Sequence, residues 1–149
     1  MTAHAMPVAR PADRRRLAVR LGLALLGAGQ GATALFALLA PRSFYTDFPV
    51  AGAHWVSAAG AYDEHLIRDY GAAFLALSVL ALAAAWIAER RLVQVALAVW
   101  IVAALPHLIF HVAHAGEPGG ASGAASLATL ALNALLPLLL LILAPKENP

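Results

Sequence analysis

Four apolar stretches, each long enough to cross a bilayer, leave this chain few ways to fold. They cover about 17–40, 64–88 (continuously apolar from Tyr70), 92–114 and 124–144 of its 149 residues. A hydrocarbon core of ~30 Å is spanned by a helix of ~20 apolar residues. Lipid offers no partner to a backbone N–H or C=O, so a spanning segment is either a helix or a strand of a closed barrel. None of the four stretches alternates apolar and polar residues as a barrel strand does, and Leu and Ala dominate them. Helices are therefore expected. With 62% hydrophobic and 12% charged residues and a mean hydropathy of +0.76, a water-soluble domain of this size could not hide its apolar surface. The predicted fold is all-α: one integral-membrane, antiparallel up-down four-helix bundle, with an aromatic outer loop over 41–62.

The placement of charge predicts orientation. Arg10, Arg14, Arg15, Arg16 and Arg20 precede or enter the first stretch, Arg90 and Arg91 separate the second from the third, and Lys146 follows the fourth. The first long loop or its edge holds only Arg42 and Arg68, and the loop after His114 holds none. Positive residues favour the cytoplasmic side, so both termini are expected inside, in a multi-pass protein with Arg42 to Tyr62 and Ala115 to Gly123 outside. The alternative readings of the basic N-terminus, nucleic-acid or anionic-lipid binding, are less common causes of such a run, and no nucleic-acid partner is expected. At ~24 residues the first stretch exceeds the 7–15 of a signal-peptide core, so it reads as a retained helix. The Ala-rich, Lys-poor composition suggests a high-GC bacterium, hence the cytoplasmic (inner) membrane. With no cysteine in the chain, disulfides, thiolate ligands and CxxC chemistry are excluded.

Local signals mark the boundaries. Met1 to Asp13, with Pro7 and Pro11, reads as a loose tail. Gly27 and Gly31 form a small-xxx-small step suited to close helix packing, with Gln30 as an interhelical hydrogen-bonder or a cavity-lining group. Pro41 ends the first helix. The loop beyond it, with Phe44, Tyr45, Phe48, His54 and Trp55, is expected either at the membrane interface or folded over the bundle as a lid. Asp63 is a good N-cap for the second helix. Pro106 is expected to kink the third.

Two polar clusters carry what chemistry the chain offers. His107, His111 and His114 recur at steps of four and three, which at ~100° per residue leaves the three imidazoles within ~60° of one another on one helical face. Glu64, His65, Arg68 and Asp69 open the second helix, with Glu64–Arg68 and His65–Asp69 as i,i+4 pairs. Ionisable groups are expensive in a bilayer, which makes both clusters functional candidates. The turn at Glu89 to Arg91 is very short, so the second and third helices are antiparallel neighbours and the clusters lie at one depth. His65, Asp69, His107 and His111 are therefore expected to line one cavity, with Glu64 and His114 at its mouth.

Imidazoles and carboxylates together suit a divalent transition metal, zinc or iron before copper. The expected ligand set is His65, Asp69, His107, His111, His114 and Glu64, with Asp69 also able to orient His65 from outside the coordination sphere. In that reading Glu64 or Asp69 is the catalytic acid or base of a metal-dependent oxidoreductase or hydrolase acting on a small or lipidic molecule. The alternative is a non-catalytic membrane subunit or carrier whose histidines and aspartate handle protons or ions. Haem fits less well, because enclosing it needs more room than one four-helix unit provides. A structural reading stays open too: His65 with Asp69 as a docking pair, His107 on a carbonyl freed by Pro106, His114 at the interface. His4 and His54 are expected at the surface. No nucleophile motif, phosphate loop or dinucleotide fingerprint is present. A homo-oligomer or a partner membrane subunit is compatible with all of this.

The series Pro41-Arg42-Ser43-Phe44-Tyr45, Phe48-Pro49, Trp55, Tyr62 to Gly71, Leu105-Pro106-His107 and His111 resembles a group of small uncharacterised bacterial four-helix membrane proteins, loosely similar to the DoxX-like superfamily. The resemblance covers most of the chain. It implies the four-helix membrane fold and, by analogy only, redox chemistry at the membrane.

Overall fold

The computed structural model describes residues 11–114 and 119–144. Among these there are five α-helices and no strand: α1 (Pro11–Leu39), α2 (Pro41–Asp47), α3 (Glu64–Ile87), α4 (Arg90–Ala113) and α5 (Gly120–Leu143). Helices α1, α3, α4 and α5 are long and apolar enough to cross a membrane. The expected tail before Pro11, His4, residues 115–118 of the Gly-rich loop and Lys146 lie outside the described residues.

Each boundary has a local cause. Pro41 lacks an N–H and cannot continue α1, yet its fixed φ suits the first position of a helix, so it opens α2 at once. The loop expected over 41–62 therefore begins with seven helical residues and carries a 3-10 turn at Ser57–Ala59. Asp63 caps α3, its Oδ1 accepting the Leu66 N–H at 3.1 Å. Ala88 ends α3 in the left-handed conformation at φ 56°, and Glu89 caps α4 by accepting the Arg91 N–H at 3.2 Å. Helix α4 continues through Pro106 to Ala113.

The four long helices alternate in direction and form a ring: α1 lies along α3 and α4 along α5, while α3–α4 and α1–α5 complete it with lighter packing. Close approach of α1 and α3 rests on small residues. A Cβ at Gly71 would stand 2.7 Å from Leu38 Cγ and 3.0 Å from the Ala34 carbonyl; one at Gly27 would stand 2.8 Å from Leu82 Cγ. Without those side chains the backbones meet, which is the main source of helix association in lipid. The core runs through Leu23, Leu77, Ala81, Leu97 and Trp100. Trp100, 1% exposed, donates its Nε1–H to Asn133 Oδ1 at 3.1 Å, so a buried polar group of α4 is satisfied by α5. The outward faces carry Leu25, Leu39, Val102, Leu132 and Ile142, all large, apolar and exposed. In water this would be a severe liability; facing lipid it is the required surface.

The two ends of the bundle differ. At one, α2 and the segment after it form an aromatic cap over α1 and α3. Phe44 is buried there among Phe36, Phe48 and Tyr70, with ring centroids 5.6, 4.9 and 5.7 Å away. The other end carries the arginines at the starts of α1 and α4.

Candidate functional site

The start of α3 lies at the capped end, and most of its charges are committed to holding that end together. Glu64 pairs with Arg68, Oε1 to Nη2 at 2.8 Å. Arg68 Nη1 also donates to the Leu38 carbonyl at 2.6 Å, placing a cation at the C-terminus of α1 where the helix dipole favours it. The Tyr62 hydroxyl donates to Glu64 Oε2 at 3.3 Å, and the Arg42 guanidinium lies over the Tyr62 ring, 4.6 Å from its centroid. Partial desolvation, then the charge and hydrogen bond of Glu64, hold the Tyr62 phenol above its ordinary pKa. Glu64 thus sits in an ion-pair network rather than at the mouth of a cavity.

His65 and Asp69 form the other i,i+4 pair, Nε2 to Oδ2 at 3.3 Å, with side chains 87% and 62% exposed. Their direction is set by the period of the helix. Counting from buried Ile67 at ~100° per residue, Gly71, Ser78, Ala81 and Ala85 fall within ~40° of it, whereas His65 and Asp69 fall ~160° away on either side. The pair points away from the bundle.

The histidines of α4 do the opposite. Counting from buried Val93, the buried Leu97, Trp100 and Ala104 lie within ~40°, and His107, His111 and His114 lie within ~60°. The stripe extends the inward face of α4 toward the capped end. His107 and His111 are partly buried, with ring centroids 4.7 Å apart and planes at 78°. His114 is exposed; its ring stacks on Phe110 at 4.3 Å, and its Nδ1–H donates to the Phe110 carbonyl at 2.8 Å. It caps its own helix.

The single site expected from His65, Asp69, His107 and His111 with Glu64 and His114 is therefore divided. Equal depth brought the clusters to one level, but opposite helical phase turned them apart. Among the described residues no three His, Asp or Glu side chains are grouped so as to hold a metal ion. What faces inward is a pair of imidazoles, His107 and His111, in edge contact. Two imidazoles at that distance interact electrostatically, so protonating one disfavours protonating the other.

Further polar links surround this region. Gln30 Nε2 donates to the Tyr70 hydroxyl at 3.0 Å across α1 and α3, the interhelical role its position suggested. Trp55 Nε1 donates to Ser122 Oγ at 2.9 Å, and that hydroxyl lies 3.4 Å from the Ala53 carbonyl, to which it donates. This tie carries the cap across to the start of α5. The aromatic loop thus folds over the bundle. Trp55 stood out in the sequence as part of that loop, but nothing marked Ser122, a serine in a Gly- and Ala-rich run. Compared with known proteins, the chain matches no family model, no curated protein and no solved structure.

Proposed function

We propose that this protein is a non-catalytic membrane subunit or carrier whose His107–His111 pair takes up and releases protons at the capped end of the bundle. The observation that supports this is the phase of α4, which turns both imidazoles inward while the carboxylate Asp69 points away. A paired base that, among the described residues, is grouped with no carboxylate is suited to reversible protonation. Below the pair the same face continues as Ala104, Trp100 and Leu97, all buried. An apolar stretch of that length opposes passage of a proton to the other end. The pair therefore serves proton uptake from one side, linked to the state of the bundle or of a neighbouring subunit, rather than conduction. The arginine distribution supports an orientation with the capped end outside and the termini in the cytoplasm.

The test is imidazole NMR of the protein in nanodiscs across a pH series, with elemental analysis of the same sample. A coupled pair is expected, so His107→Gln shifts the His111 midpoint and His65→Gln leaves it in place. A His111 midpoint that stays unchanged in the His107→Gln variant sinks the reading. Stoichiometric zinc, iron or copper that is lost in His107→Ala would replace it with the metal-centred alternative.

A further inference from the structure

Five arginines occupy the first turns of two helices at the end opposite the cap: Arg14, Arg15 and Arg16 within the first six residues of α1, and Arg90 and Arg91 opening α4. The helix dipole places partial positive charge at those termini, so each cation sits where its own helix disfavours it. Arg20 joins them from α1, its Nε donating to the Ala85 carbonyl of α3 at 3.0 Å. With Nε engaged, the guanidinium is held in place and its end-on pair of Nη groups forms the fork that suits a phosphate.

Helical phase brings part of this charge together. Counting from buried Leu23 at ~100° per residue, Arg16 and Arg20 fall ~20° and ~60° away, on the side of Gly27 and Gly31, which face Leu82 and Ser78 of α3. Arg14 falls ~180° from Leu23, on the opposite face. Because α1 and α3 are antiparallel, the Arg20–Ala85 contact sets a register that carries Arg16 level with the α3–α4 turn, where Arg90 and Arg91 stand. Among the described residues this end holds two carboxylates, Asp13 and Glu89, against six arginines. An exposed apolar surface adjoins Arg20: Leu17, ~60° further round α1, and Trp86 and Ile87 at the end of α3. Cations above and apolar side chains below are the two halves of a phospholipid's own chemistry.

We propose that Arg16 and Arg20, with the Arg90–Arg91 turn beside them, bind the headgroup phosphate of an anionic phospholipid whose acyl chains lie against α1 and α3. The phosphate gives Arg16 and Arg20 a counter-charge that the N-terminus of α1 cannot supply, and the location at the end of spanning helices favours a lipid over a free anion.

The experiment is thermal unfolding and native mass spectrometry in a neutral detergent, titrated with dioleoylphosphatidylglycerol or dioleoylphosphatidylcholine. Phosphatidylglycerol is expected to raise the melting temperature and remain bound, and phosphatidylcholine to do neither. Arg16→Gln and Arg20→Gln should each weaken the phosphatidylglycerol response about fivefold, and Arg14→Gln should leave it intact. Because Arg20 also bonds to α3, the readout is the difference between the two lipids for each variant, which a merely less stable fold does not remove. Equal responses to both lipids, an equal loss in Arg14→Gln, or full displacement by inorganic phosphate would each overturn the proposal.

Discussion

Trp55 and Ser122, 67 positions apart, are joined by a 2.9 Å hydrogen bond from the indole Nε1–H to the serine hydroxyl. Through it the cap, whose aromatic core rests on α1 and α3, is also fastened to α5. Ser122→Ala removes this bond at a cost of about 1 kcal/mol. Hydrogen exchange should accelerate at backbone amides over 48–62 and stay unchanged in the middle of α1 and α3. Unchanged exchange across the cap would mean that its aromatic packing alone holds it.

Gly71 and Gly29 make a matched pair for testing how α1 and α3 associate. A Cβ at position 71 meets Leu38 and the Ala34 carbonyl, whereas one at position 29 meets nothing within 4 Å. Gly71→Ala should destabilise the bundle by about 1–3 kcal/mol through forced separation. Gly29→Ala should be neutral or stabilising by up to about 1 kcal/mol through helix propensity. Thermal unfolding of both variants in one detergent checks the order, and a reversed order contradicts the packing described for α1 and α3.

Ala88 closes α3 at φ 56°, in a region where a side chain costs about 1–2 kcal/mol and glycine almost nothing. It is exposed, so no packing is lost on replacing it. Ala88→Gly is expected to raise stability by up to about 1 kcal/mol, since the freer unfolded chain offsets part of the gain. Ala88→Val is expected to lower it. A lower melting temperature for Ala88→Gly would show that the α3–α4 turn does not depend on this conformation.

Orientation is measurable with single cysteines, the chain having none of its own. Ala51→Cys lies in the exposed part of the cap and Arg91→Cys at the opposite end. An impermeant maleimide applied to intact cells should label the first and spare the second. The inverse pattern would reverse the orientation and leave the ring of helices untouched.

The spans were legible because hydrophobic length is a local property. Each stretch had to satisfy its own backbone in lipid, so α1, α3, α4 and α5 follow from composition with boundaries a few residues off. Helix α1 begins at Pro11 rather than near Leu17, because arginines at a lipid–water boundary do not stop a helix, and α5 begins at Gly120 rather than Ala124. Capping was equally local: Asp63 holds the start of α3 as its side chain suggested. The connection between neighbouring spans also followed, since a turn as short as the one at Glu89 leaves no other arrangement.

The direction in which each polar cluster points was decided only in the folded bundle. Sequence spacing put His107, His111 and His114 on one face of α4, and put His65 and Asp69 on one face of α3, without saying which face turns inward. That choice belongs to the whole length of each helix. In α3 the small residues Gly71, Ser78, Ala81 and Ala85 admit α1 closely and win the inner face, which leaves His65 and Asp69 outside. In α4 the large buried Trp100, bonded to Asn133 of α5, sets the phase and carries the histidines inward. The sequence by itself thus determined the membrane helices and the presence of two polar faces; burial of one stripe per helix, a property of neighbours in space, decided that those faces do not meet.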